Sequence, residues 1–163
     1  MSDLLFTTKP RSVGDVSAGK DLGHQVPSTT DGPIGMFDSG FGGLTVARAV
    51  IDLLPSEDLV YIGDTGRYPY GDKKPEDVRG YARELAWSLV KDHHAKAIVV
   101  ACNTAAAALP VHELEAELAA AGVMVPVIGV IEPGAQSLVR ATRSGRVGVI
   151  GTMGTIGSGA YDR

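Results

Sequence analysis

From residue 34 onward, apolar residues come in short runs, each closed by a glycine or a polar residue and followed by a stretch with helical spacing. Ile34–Phe37 leads into Asp38-Ser39-Gly40 and then into an amphipathic segment from Gly43 to Leu54. Leu59–Ile62 leads into Gly63-Asp64 and a polar loop carrying Gly66, Pro69, Gly71 and Pro75. A long helical pattern runs from Pro75, suited to a first helical turn, to about Asp92. Ala97–Ala101 is the next extended run. The helical stretch Thr104–Ala121 contains Pro110, which predicts a break or kink there. Val125–Val130, a helix over Pro133–Thr142 and the run Val147–Ile150 complete the series. Strands alternating with helices of this length predict βαβ units and a parallel sheet. Because the strands are continuously apolar, both faces of that sheet are expected to be covered by helices. The fold class is α/β, an open and mainly parallel sheet.

Residues 1–32 are different. Lys, Arg, Ser, Gly, Asp, Thr and Pro dominate with scattered single aliphatics, and neither period persists. The composition predicts a disordered tail, with the folded domain over 33–163; an over-extended start reads equally well. At the other end, Gly151–Ile156 opens a further helix that Arg163 cuts short, so the expectation is a domain truncated in its last βα unit.

Composition narrows the function. The chain has 163 residues, 44% hydrophobic and 21% charged, with net charge −4. That is enough for one globular core, and it lacks the basic footprint of a nucleic-acid binder. No apolar run is long enough to span a bilayer, and the first residues lack the apolar core of a signal peptide. The expectation is a soluble, cytoplasmic protein. The single cysteine, Cys102, admits no internal disulfide; such a residue is either a packed apolar side chain or a functional thiol.

In an open α/β sheet, ligands bind beyond the carboxyl ends of the strands. The groups predicted there are Asp38-Ser39, Gly63-Asp64, Cys102-Asn103-Thr104, Glu132 and Thr152. Any one of them reads as a helix cap; together they favour a site. Cys102 falls between an apolar run and a helix, where backbone N–H groups are expected to lower a thiol's pKa. The glycine-rich run Asp38–Gly43 does not fit GxGxxG, since Thr45 stands where the third glycine belongs, and no phosphate-loop motif occurs. Tyr68–Asp72 reads as a functional loop or an ordinary Pro/Gly turn. His93 and His94 adjoin and diverge on a helix, so they make a poor metal pair. No metal site is expected.

The runs Ile34–Val46, Tyr61–Thr65 with Tyr68–Gly71, Ala101–Ala105, Gly129–Ala135 and Ile150–Thr155 together resemble the glutamate racemases of the aspartate/glutamate racemase family, in order and from about residue 33 to the end. The resemblance implies the N-terminal half of an enzyme with two similar α/β domains. It also implies interconversion of L- and D-glutamate by two cysteine bases, without a cofactor, supplying D-glutamate for peptidoglycan, and a homodimer in the full-length enzyme. On the same basis Cys102 is one base. Asp38, Ser39, Tyr70, Gly71, Asn103 and Thr104 match substrate-contacting positions, with Glu132 and Thr152 as weaker candidates. The chain departs from the family in having neither a second cysteine nor the Gly-Cys-Thr-His motif that carries it, so the fragment alone is expected to be inactive. Aspartate racemase is the nearest alternative. A non-catalytic remnant or amino-acid-binding module is another. A cysteine hydrolase would want a histidine beside Cys102, and no histidine falls at a strand end.

Overall fold

A computed structural model of the chain describes residues 4–8 and 31–162. The elements, in order, are β1 (Leu4–Thr8), β2 (Ile34–Asp38), α1 (Leu44–Leu53), β3 (Leu59–Gly63), α2 (Pro75–Lys91), β4 (Ala97–Val100), α3 (Asn103–Ala108), α4 (Val111–Ala120), β5 (Val127–Gly129), α5 (Ile131–Ala141) and α6 (Met153–Gly157). The sheet order is β1-β3-β2-β4-β5. Strands β3, β2, β4 and β5 pair in parallel, and β1 closes the β3 edge antiparallel.

Every residue of β2 and β3 is buried, as expected of central parallel strands covered on both sides. Strand alternation sorts their side chains into two cores. Phe37, Val60, Ile62, Ile98 and Val100 belong to the larger one, with α2, α3 and α4. Ile34, Met36, Leu59, Tyr61 and Val99 belong to the smaller, with Ala47, Val46 and Val50 of α1. In α2 the buried positions Val78, Ala82, Leu85, Ala86 and Leu89 trace one helical face. Pro75 opens that helix, Glu76 and Asp77 occupy its first turn and Lys91 its last, each suited to the helix dipole. Pro110, with no N–H to give, splits α3 from α4 as the sequence predicts.

Two expectations are corrected. Leu4–Thr8 lies in the segment read as a disordered tail, yet it is a strand in full register with β3, and Leu4 and Phe6 pack on the smaller core. Five residues alternating inward and outward are enough for an edge strand, and too few to stand out in a polar segment. The rest of the expected tail, 9–30, lies outside the described residues. Val147–Ile150, read as a fifth parallel strand, makes no ladder. The edge strand β5 is three residues long, α5 buries no side chain, and Ile150 is wholly exposed. A strand there has neither a long partner edge nor a covering helix.

Candidate active site

The topology selects one place on the sheet edge. From β2 the chain leaves through α1 to β3 on one side; from neighbouring β4 it leaves through α3 and α4 to β5 on the other. Adjacent strands whose connections diverge leave a crevice at their carboxyl ends. The residues emerging there are Asp38-Ser39 from β2 and Cys102-Asn103 after β4.

Cys102 is the N-cap of α3, in extended backbone geometry, and its Sγ accepts from the Ala105 N–H at 3.4 Å. Its thiol also donates to Ser39 Oγ at 3.5 Å. The residue is buried, 6% exposed. The expectation of a lowered thiol pKa is overturned. Burial is the largest influence and raises the pKa above its ordinary value, and the nearby Asp38 carboxylate adds to the rise. Hydrogen bonds that the ionised sulfur would accept from Ser39 and Ala105 act the other way and lose. A helix of six residues offers little dipole to set against desolvation.

Asp38 is buried, and three donors converge on its Oδ2: the N–H groups of Gly40 and Gly43 at 3.1 Å each, and the Tyr61 hydroxyl at 3.5 Å. The carboxylate thus caps its own turn. The turn is crowded as well: a Cβ at Gly43 would come within 2.8 Å of Asp38 Cβ and 2.9 Å of Ala101 Cβ, so only glycine fits. Tyr61 also donates to Gly40 O at 3.2 Å. Burial and the adjacent Asp38 push its phenol pKa well up, so it remains a donor.

Asp64, following β3, is buried and organises the loop beyond it. Its Oδ2 accepts from Arg67 Nε at 2.6 Å and from the Tyr70 hydroxyl, and its Oδ1 accepts from the Arg67 N–H at 3.2 Å. Arg67 also pairs with Glu84 and lies over the Tyr81 ring. Tyr70 is therefore buried with its phenol turned to Asp64. Gly71 passes so close to Thr152 that a Cβ would meet Thr152 Cγ2 at 2.7 Å.

Three threonine hydroxyls form a cluster at the start of α6: Thr104 lies 2.9 Å from Thr152 and 3.3 Å from Thr155, and the latter two are 3.1 Å apart. Asn103 Oδ1 accepts from the Tyr161 hydroxyl at 2.7 Å. Asp38, Cys102, Asn103, Thr104, Thr152 and Tyr161 all line one cleft of about 340 Å³. Glu132 is not among them. It is exposed, bonded to Gln136 on α5, and lines a separate groove of about 870 Å³. Among the described residues, no group of three or more His, Cys, Asp or Glu could hold a metal ion, and no helix is long and apolar enough to cross a membrane.

A sequence model of the family described as Asp/Glu/Hydantoin racemase matches residues 44–163. The chain belongs to this family. Its relatives in the family include a glutamate racemase of Chlorobaculum tepidum, 55% identical over 139 residues, covering 85% of this chain and 48% of that protein. Another, from Corynebacterium kroppenstedtii, is 53% identical over 131 residues, covering 80% and 43%. Among solved racemase structures, that of Thermus thermophilus in complex with beta-chloro-D-alanine superposes with a TM-score of 0.70 at 50% identity, covering 81% of this chain and 48% of that one. The Francisella tularensis glutamate racemase in complex with D-glutamate gives 0.70 at 43% identity, covering 81% and 47%. The chain thus spans about half the length of the racemases it matches.

Tyr61, Thr155 and Tyr161 join the site without having been named as site residues from the sequence, although Tyr61 and Thr155 fall in runs that carry the family resemblance. Tyr61 sits inside an apolar run and reads as core. Thr155 is a helix position three residues after a cap. Tyr161 carries no sequence signal at all.

Proposed function

We propose that this chain supplies one half of a cofactor-independent glutamate racemase site, with Cys102 as one of its two proton-transfer groups. The supporting observation is the place of Cys102: the chain's single thiol stands at the crevice between diverging strands, against Ser39 and beside Asp38. Glutamate is favoured as substrate by the relatives at about half identity, which carry that name. D-glutamate made by such an enzyme serves peptidoglycan synthesis.

The chemistry follows from geometry. Racemisation takes the α-proton from one face of a held carbon and returns a proton to the other. One base cannot reach both faces; two thiols on opposite sides can, one as thiolate base and the other as acid. Burial makes the Cys102 thiolate scarce but more basic, which suits abstraction of a weakly acidic C–H. The threonine cluster, Asn103 and the backbone at Gly71 supply donors for carboxylates, and Asp38 an acceptor for the ammonium. Negative charge developing at the α-carbon needs such fixed donors. Glu132 has no part in this reading.

The test is deuterium uptake at the α-carbon of D- and L-glutamate in D2O, with D- and L-aspartate run in parallel. The expected result is exchange into one enantiomer of glutamate only, without net interconversion, falling about 100-fold or more in Cys102→Ala. Racemic product from this chain alone would overturn the two-base reading. Exchange surviving in Cys102→Ala would remove the cysteine's role, and preferential exchange into aspartate would move the substrate. A folded chain that exchanges neither amino acid is an amino-acid-binding module or a remnant.

A further inference from the structure

The edge strand β1 reaches the site through an aromatic contact. Phe6 stands opposite Tyr61 in the β1–β3 register. The two rings are stacked, with centroids 5.1 Å apart and planes 20° from parallel. Tyr61 is fully buried, and its hydroxyl emerges at the far end of the ring under the turn after β2, where it meets Asp38 Oδ2 and Gly40 O. Those two atoms flank Ser39, whose hydroxyl accepts from the Cys102 thiol. The strand β3 therefore carries, at one position, both a packing surface for β1 and a hydrogen-bond donor for the turn that touches the thiol. A buried tyrosine ring fixed on its face by a stacked neighbour has little freedom to swing its hydroxyl away. A phenol bonded to both a carboxylate and a carbonyl on either side of one residue constrains that residue's position.

We propose that Tyr61 is a positioning residue for the cysteine. Braced by Phe6 of the N-terminal strand, its hydroxyl ties Asp38 to the Gly40 carbonyl and so holds the Ser39 hydroxyl against Cys102 Sγ. Strand β1, Leu4–Thr8, thus belongs to the machinery of the site, although it precedes every motif that points to it. This rests on Cys102 being the reactive group, and deepens that reading by adding what sets its surroundings.

The probe is iodoacetamide, whose alkylation of Cys102 as a function of pH reads the thiol's ionisation whether or not glutamate is its substrate. The charged group acting on that thiol is Asp38 from β2; Tyr61 from β3 and Tyr70 from the loop after β3 lie near enough for the thiol to act on them in turn. Once the thiol has lost its proton, the Ser39 hydroxyl turns to donate to the sulfur and so favours the thiolate; loosening that contact moves the alkylation midpoint upward. Tyr61→Phe, which keeps the ring and removes only the hydroxyl, is expected to slow alkylation at pH 8 by about threefold, with an unchanged rate at the alkaline plateau. Phe6→Ala is expected to shift the profile the same way, and Phe6→Tyr, which retains the stack, to restore it. Ser39→Ala should give the upward shift by itself, and adding Tyr61→Phe to it should shift the midpoint no further, since both act through one contact.

A Tyr61→Phe protein with a native circular dichroism spectrum and an unshifted profile would overturn the proposal, as would shifts that add fully with Ser39→Ala. If Tyr61→Phe does not fold, the Phe6→Ala and Phe6→Tyr pair decides alone: equal profiles for the two sink it. Failure of the racemase reading looks different, since it shows as missing deuterium exchange in the unsubstituted chain with these profiles intact.

Discussion

At the scale of single residues, the site divides into side chains that face the cleft and side chains that hold others in place. Tyr70 belongs to the second kind. By resemblance it matches a substrate-contacting position, yet its phenol is buried against Asp64, and burial with that carboxylate pushes its pKa far up. Any contact it makes with a ligand is therefore through its backbone, as for Gly71. Tyr70→Phe is expected to cost about 2 kcal/mol of stability, the worth of a hydrogen bond to a charged acceptor, read as a lower urea midpoint with unchanged slope. The cysteine alkylation rate should stay as it was; a large loss of that rate at unchanged stability would place the phenol in the site instead. The sequence makes Asp38, Ser39, Cys102, Asn103 and Thr104 legible because each follows an apolar run that must end at the edge of the sheet. It does not make Tyr61 legible, since an aromatic inside a buried run looks the same whether or not its hydroxyl has work at the far end. Glu132 shows the converse. It too follows an apolar run, but the chain turns away into α5 there, and a strand-end position says nothing of where the next helix points.

At the scale of elements, the helices that cover the sheet are held by apolar faces, with ion pairs added at the surface. Helix α4 shows the balance. Leu114 and Leu118 are fully buried in the larger core, while Glu113 and Glu117 on its outer side meet Arg79 and Arg83 of α2. The Arg83–Glu117 pair has two hydrogen bonds, at 2.6 and 2.8 Å, but both side chains are more than a third exposed or nearly so, and water screens them. Leu118→Ala is expected to cost about 3 kcal/mol and Arg83→Ala no more than about 1 kcal/mol, both from urea unfolding. A reversal of that order would mean that the α2–α4 contact is electrostatic at heart. The same contrast explains which elements the sequence discloses. Helices α2 and α4 announce themselves because burial enforces a period, and Pro110 marks the break before α4. The strand expected at Val147–Ile150 has the right composition, but a strand exists only where another strand's edge receives it, and composition cannot supply the neighbour. For β1 the error runs the other way: β3 has a free edge beside it, and five residues suffice to take it.

At the scale of the whole molecule, the cleft is shared between parts of unequal support. Asp38, Ser39 and Cys102 hang from strands buried on both faces. Thr152, Thr155 and Tyr161 come from the segment after α5, where α5 buries no residue, Val139 and Met153 are exposed, and 147–150 pairs with no strand. That segment is tied back to the sheet through the threonine cluster on α3 and the Tyr161–Asn103 hydrogen bond. Local opening free energy follows buried apolar contact and protected backbone hydrogen bonds, so the chain should not open as one unit. Native-state amide hydrogen exchange is expected to show protection in β2, β3 and β4 near the global limit, and protection in α5 and α6 lower by on the order of 100-fold or more. The consequence for the site is that the thiol and its turn stay assembled while the donors opposite them come and go. A ligand bridging Asn103 and the threonines would then draw part of its binding energy into ordering α6, and should raise protection there more than in the sheet. Uniform protection across strands and helices would refute this gradient, and would mean that the exposed faces of α5 and α6 cost the fold less than their lack of burial implies.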